Sequence, residues 1–186
     1  MFLFKSDIVS FSELPAALAC LPDGLTGLPT AATLTLWQQW HRQGTLQIGR
    51  VDRVLADGAR QTQALGITAW ITDAAVAALS APGAQSCTQR LYAAASQGRP
   101  WLMTAADIQQ AHDANALNLM VLHFWSGGDV NSPDFQPVFL QAHMLFRDLH
   151  QGFGVQALFQ EVPAMQAPFL SAAGMQVIHA AAPANA

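Results

Sequence analysis

Six histidines and twelve acidic residues are the side chains of this chain that could transfer protons or hold a metal ion. Their spacing contains no His-Glu-x-x-His and no cysteine pair at ligand distance, so no metal site is expected. Two of them stand out. His123 lies inside an apolar run, where a buried imidazole needs a hydrogen-bond partner, and Glu161 ends a predicted strand. Either could carry chemistry, although a satisfied core histidine and an exposed strand end are the simpler interpretations.

Three of the five tryptophans lie at the ends of predicted elements. Trp70 ends a hairpin, Trp101 precedes a helix and Trp125 closes an apolar strand. If their rings converge, they would wall an apolar pocket. The alternative is ordinary core packing. The chain contains no Gly-x-Ser-x-Gly, phosphate-binding or dinucleotide-binding motif, so no known catalytic signature assigns a reaction.

The elements that would position these side chains centre on residues 116–162. An apolar strand over 117–125 is followed by a turn cluster over 126–131, a helix over about 133–150 and a second strand over 153–162. The helix carries a wide apolar stripe, with Ser132 as a plausible N-cap and Gly152 as its stop. If the two strands are parallel neighbours, the segment is one βαβ unit.

The remaining chain supplies a hairpin and several helices. Residues 45–71 alternate as two strands around the turn Asp57-Gly58. Residues 2–9 form either a first strand or an irregular lead-in, and a last helix and strand are expected over 163–174 and 175–179. The pattern predicts an α/β or α+β fold whose mixed central sheet starts with an antiparallel hairpin and carries helices on both faces. We expect one domain over 1–180 and a disordered tail over 181–186.

Composition limits the class of protein. Hydrophobic residues make up 52% of the chain and charged residues 11%, against about 25% charged in typical domains. A surface with so few charges favours coverage by a partner chain, and a homodimer is the simplest such arrangement. The net charge is −4 and the basic residues are scattered, which argues against direct nucleic-acid binding. No signal peptide and no apolar run of about 18 residues is present, so we expect no membrane span and a cytoplasmic location.

Three segments carry weak motifs, namely 65–73, 117–123 and 146–153. They contain a strand ending in Asp73, a strand ending in His123, and a helix exit with Phe146, His150, Gly152 and Phe153 ahead of Glu161. In order and spacing these motifs resemble the N-terminal domains of proteobacterial LuxR-type transcriptional regulators. The resemblance covers roughly residues 31–178. It implies a GNAT-like acyltransferase fold. Because the chain ends at Ala186 without a helix-turn-helix, DNA binding is not expected to carry over.

The GNAT resemblance also implies an acyl-CoA site, and this chain departs from its pattern. GNAT enzymes hold the CoA pyrophosphate with a Gln/Arg-x-x-Gly-x-Gly/Ala loop at a helix N-terminus. The turn after the central strand contains Gly127 and Gly128 but not that spacing, and Leu149 stands where the later Gly-x-Gly stretch would need Gln or Arg.

Three hypotheses follow. The first is a non-catalytic, dimeric regulatory domain that needs no cofactor and senses a small apolar or acyl-type ligand near Trp70, Trp101, His123, Trp125, Gly127 and Gly128. The second is an acyltransferase in which the amides of Gly127 and Gly128 face acetyl-CoA and His123 or Glu161 serves as the base. The third is a stand-alone interaction module that pairs with related regulators.

Overall fold

The computed structural model describes the chain over residues 3–81, 83–126, 133 and 135–161. Five strands in this part of the chain form one mixed sheet whose spatial order is the chain order. They are β1 (Leu3–Ile8), β2 (Leu46–Val54), β3 (Arg60–Ile71), β4 (Leu117–Ser126) and β5 (Val155–Gln160). The first four are antiparallel neighbours, and β5 lies parallel to β4. The mixed sheet of an α+β fold, compatible with the GNAT-like architecture, is therefore confirmed.

The β2–β3 hairpin forms at the predicted turn. Gly58 has φ +79°, a left-handed conformation that glycine adopts without steric cost. The carboxylate of Asp57 accepts a hydrogen bond from the backbone amide of Ala59 at 2.9 Å. The segment whose state the sequence left open is a strand, β1, which pairs with the outer edge of β2.

Helices cover both faces of the sheet, as predicted. They are α1 (Leu14–Ala19), preceded by a 3-10 turn (Phe11–Glu13), α2 (Thr30–Arg42), α3 (Asp73–Ser80), α4 (Cys87–Ser96), α5 (Ala105–Asp113) and α6 (Phe135–His150). Thr72, Ser86 and Thr104 cap α3, α4 and α5 with their side chains. Among the described helices, none combines the length and the apolar character needed to cross a bilayer.

The largest hydrophobic core lies between the sheet and helices α1–α4. Trp37 and Tyr92 are fully buried in it, and the indole Nε1 donates to the Tyr92 hydroxyl at 2.6 Å. Burial raises the pKa of Tyr92 far above its ordinary value. The opposite face is covered by α5 and α6 with two smaller apolar clusters. Burial is therefore uneven between the two faces.

The central unit is a parallel βαβ segment, as predicted. Leu117 pairs with Val155 at its start, and Gly152 ends α6 with φ +89°. The described part of α6 runs from Phe135 to His150, and β5 is shorter than the predicted strand at both ends. The proposed N-cap Ser132, most of the turn cluster, the last helix and strand, and the tail over 181–186 lie outside the described residues.

Candidate functional site

Two glycines face each other on the middle strands of the sheet. Gly49 on β2 pairs directly with Gly66 on β3, so both backbones present no side chain to the α6 side of the sheet. A glycine inside a strand often marks a close approach of another element. The pair leaves a shallow dent beneath α6.

Helix α6 fills one half of this dent. A Cβ built on Gly49 would lie 2.9 Å from Leu145 Cδ2 and 3.2 Å from Leu149 Cδ1, so the two leucines occupy the space that a side chain would need. Among the described residues, a Cβ built on Gly66 would have one neighbour within 4 Å, Phe124 Cδ2 at 3.8 Å, which is an ordinary van der Waals contact. The Gly66 half of the dent is therefore open.

The sheet also opens on the other side of Gly66. The last paired residues of β4 and β5 are Val121 and Gln160, while β4 continues to Ser126. Phe124 pairs with Gly66 on β3 but lies beyond the last β4 residue that pairs with β5 in the described chain, and it is partly exposed. Its ring meets that of Phe139 on α6 edge-to-face at 6.1 Å. The two phenylalanines both line the space between α6 and the sheet.

Together these features form a cleft of about 250 Å³ between α6 and strands β2–β5, named here the α6 cleft. Apolar side chains dominate its lining. The lining residues are Gly49, Val51, Ala64, Gly66, Thr68, Val121, Phe124, Phe139, Ala142, His143, Leu145, Phe146, Leu149, Leu158 and Gln160. Such a composition is typical of sites for small apolar molecules.

Polar groups of the lining divide into a buried one and two exposed ones. His143 and Gln160 are exposed to solvent, whereas Thr68 is 2% exposed. The Thr68 hydroxyl lies 3.2 Å from Nε2 of His150, and Nδ1 of His150 lies 2.7 Å from the carbonyl oxygen of Phe146. Burial lowers the pKa of His150, partly offset by the bond to Phe146. The imidazole is therefore neutral at pH 7.

The three tryptophans predicted to wall a pocket do not converge. Trp70 is buried on the α6 side, where its ring contacts His150 and Phe153. Trp101 and Trp125 pack against the large core on the opposite face. None of the three lines the α6 cleft. Their types and positions suited an apolar wall. Regular alternation along β4 would place Trp125 on the same face as Leu119, the partner of Trp70, but the register shift between Ile67 and Thr68 turns Trp125 to the opposite face.

His123 lies on the face away from the α6 cleft, and Thr88 connects Glu161 with Leu122, the residue before His123. His123 pairs with Ile67, which belongs to the large core. Its Nε2 is buried without a hydrogen-bond partner in the described part of the chain, and burial lowers its pKa. Thr88 links the two candidates, because its amide donates to Glu161 Oε2 at 3.5 Å and its hydroxyl to the Leu122 carbonyl at 2.9 Å.

The remaining candidates are Gly127 and Gly128, which lie outside the described residues. Among the described residues, no group of three or more His, Cys, Asp or Glu side chains could hold a metal ion. Cys20 and Cys87 are free cysteines and are partly exposed.

Sequence reasoning missed the residues that form the cleft. The available signal was the glycine inside each predicted strand, which indicates a close approach or a gap. Their facing register on neighbouring strands could not be derived from a single sequence.

Comparison with known proteins found no matching protein family, curated protein or solved structure.

Proposed function

We propose that this chain is a non-catalytic regulatory domain that binds a small apolar or acyl-type ligand in the α6 cleft and acts as a homodimer. The observation that carries the ligand half is the open, apolar space above Gly66. The regulatory half rests on the resemblance to the N-terminal domains of LuxR-type regulators.

The lining favours binding over catalysis. Thr68 is the one deeply buried polar side chain among the described lining residues, and its hydroxyl already contacts His150. The described lining contains no Asp, Glu, Cys, Lys or Arg side chain. The imidazole of His143 is exposed to solvent at the rim of the cleft. The cleft thus lacks the buried acid–base pair that most transfer reactions need.

The volume of the cleft limits the ligand. An apolar cavity of roughly 150 Å³ accepts benzene, so about 250 Å³ fits a chain of roughly eight carbons. At about 0.8 kcal/mol for each buried methylene, such a chain gains at most about 6 kcal/mol before the cost of immobilising it. We expect dissociation constants of roughly 0.1–1 mM for simple probes.

The test is a thermal-shift titration with 1-octanol and N-methyloctanamide on the wild type and on a Gly66→Val variant. The valine side chain would occupy the open space above Gly66, where Phe124 is the nearest described side chain. At a probe concentration ten times the dissociation constant, we expect the wild-type melting temperature to rise by about 3–5 °C. The Gly66→Val variant should not respond. Equal shifts in both proteins would exclude the cleft as the binding site.

A second candidate function is acyl-CoA-dependent acyl transfer, favoured by the positions of His123 and Glu161. Both lie where β4 and β5 part, and His123 has a neutral imidazole with a buried, unpartnered Nε2. A neutral imidazole can serve as a general base. Calorimetry with millimolar acetyl-CoA tests this function, and the absence of binding heat would end it. If CoA binds, His123→Ala should abolish transfer and leave binding intact.

A third candidate, a stand-alone interaction module, shares the dimer surface with the first. The outer face of α6 exposes Leu140 and Met144 to 59% and 44%, and Phe139 beside them at the edge of the cleft is 52% exposed. Contiguous exposed apolar side chains often mark protein contacts. An unresponsive cleft in a protein that still self-associates would favour this module over the sensor.

A further inference from the structure

The buried end of the α6 cleft contains a chain of three polar groups whose hydrogen positions follow from chemistry. The carbonyl oxygen of Phe146 can only accept, so Nδ1 of His150, 2.7 Å away, carries the hydrogen of the neutral ring. Nε2 is then the unprotonated nitrogen and can only accept. The hydroxyl of Thr68, 3.2 Å from Nε2, must be the donor of that bond.

This assignment leaves Thr68 with no free hydrogen. Its hydroxyl oxygen retains only lone pairs, so it can accept a hydrogen bond from a ligand but cannot donate one. Gln47 lies directly opposite Thr68 on β2 and faces the same side of the sheet. Its Oε1 is also buried and accepts no hydrogen bond from the described part of the chain. Gln47 does not line the cleft and its amide nitrogen can donate, so the buried acceptor that a ligand meets among the described lining residues is the Thr68 hydroxyl.

The other polar lining groups do not change this balance. His143 and Gln160 are exposed at the rim, where water satisfies them. A ligand that enters the cleft displaces water from the buried end. A ligand oxygen that can only accept hydrogen bonds would then face the lone pairs of the Thr68 hydroxyl with no hydrogen between the two oxygens. A ligand carboxylate would in addition bring an unpaired buried charge.

We propose that the α6 cleft selects apolar ligands ending in one neutral hydrogen-bond donor, an alcohol or an amide N–H, over ethers, ketones and carboxylates. The donor would bond to the hydroxyl oxygen of Thr68. This inference rests on the proposed function and adds the class of ligand to it.

Two isomers provide a matched pair of probes. 1-Octanol and heptyl methyl ether contain the same atoms, and only the alcohol can donate. By calorimetry, the wild type should bind 1-octanol about two- to tenfold more tightly than the ether, the range of one neutral hydrogen bond. If the cleft offered no acceptor such as Thr68, it would favour the ether, because the ether gives up fewer hydrogen bonds to water when it enters. Octanoate should bind more weakly than either isomer.

Variants at position 68 assign the preference to a residue. Thr68→Val keeps the shape and removes the hydroxyl, so it should bind both isomers equally or favour the ether. Thr68→Ser keeps the hydroxyl and should retain the preference for 1-octanol. Melting temperatures of both variants establish that they are folded. If Thr68→Val does not fold, the wild-type order of the three probes decides.

The outcomes separate the two proposals. A wild type that binds both isomers equally, or favours the ether, while Gly66→Val binds neither would overturn the donor selectivity and leave the ligand-binding function standing. An alcohol preference that persists in Thr68→Val would overturn the assignment to Thr68. Failure of all probes to bind the wild type would overturn the ligand-binding function itself.

Discussion

Glu13 shows how one carboxylate holds the N-terminal segment against the sheet. Its Oε2 accepts hydrogen bonds from the hydroxyl and the amide of Ser10, and its Oε1 accepts one from Arg50 on β2 at 2.7 Å. These bonds, those from Ser10 foremost, lower the pKa of Glu13 to about 2. Arg50 also forms an ion pair with the buried carboxylate of Asp52. The ionised form of Glu13 is thus the form that the fold stabilises.

The pH dependence of stability follows from that lowered pKa. A carboxylate whose pKa is lower in the folded state stabilises the fold above its unfolded pKa, near 4.5, and this contribution is lost as the pH falls toward 2. A Glu13→Gln variant should melt below the wild type at pH 6, and the gap should close between pH 4.5 and 2. Thermal melts at half-unit pH steps measure it. A gap that is constant with pH would contradict the ionised hydrogen-bond network.

Individual site residues were the least predictable feature of the sequence. The sequence places His123 inside an apolar strand, where a satisfied core histidine is the simpler expectation, but its buried Nε2 has no hydrogen-bond partner in the described part of the chain. The tryptophans were grouped by their positions at element ends, yet Trp70 and Trp125 face opposite sides of the sheet. A register shift in the β3–β4 pairing between Ile67 and Thr68 breaks the alternation from which a face could be counted.

At the level of elements, the packing of α6 on the hairpin decides where the cleft opens. Leu145 and Leu149 reach the backbone of Gly49, whereas Gly66 beside it remains uncovered. The elements themselves were predictable, since an apolar stripe, a strong hairpin turn and side-chain caps are local signals. The contact of α6 with one glycine and not the other depends on the tertiary placement of the helix, which the single sequence does not encode locally.

The facing glycines supply a matched pair of substitutions. Gly49→Ala should destabilise the protein by about 1–3 kcal/mol, because its Cβ would lie 2.9 Å from Leu145 Cδ2. Gly66→Ala has room for its methyl group and should raise stability by about 0.4–1 kcal/mol through the entropy of the unfolded chain. Urea denaturation of the two variants measures both changes. Equal effects at the two positions would contradict the one-sided packing of α6.

The whole molecule combines few charges with an exposed apolar helix face. Charged residues are 11% of the chain, and Leu140 and Met144 lie one turn apart on the outside of α6. A second copy that meets this face in a two-fold dimer would cover both residues in each chain. Dimerisation and ligand binding then share α6, with the outer face toward the partner and the inner face toward the cleft.

Light scattering after size exclusion tests the dimer. We expect the wild type at twice the chain mass of 19.9 kDa and a Leu140→Glu/Met144→Glu variant at the monomer mass, because two buried carboxylates in each chain would oppose association. Leu55→Glu is the control, since Leu55 is also an exposed leucine, 40% exposed, but lies by the β2–β3 turn. A monomeric wild type, or equal dissociation by the control, would contradict the α6 interface.

The match between strand order and chain order has a consequence for synthesis on the ribosome. Each described strand pairs with the one made just before it, so none has to be inserted between two existing neighbours. The sheet can therefore grow at one edge as the chain emerges, with the three-stranded meander complete once Ile71 has left the exit tunnel. Only the parallel β4–β5 pair must wait for its crossover helix. Helix α6 and strand β5, which line the cleft, are thus among the last parts of the described chain to be assembled, after strands β2 and β3 have formed.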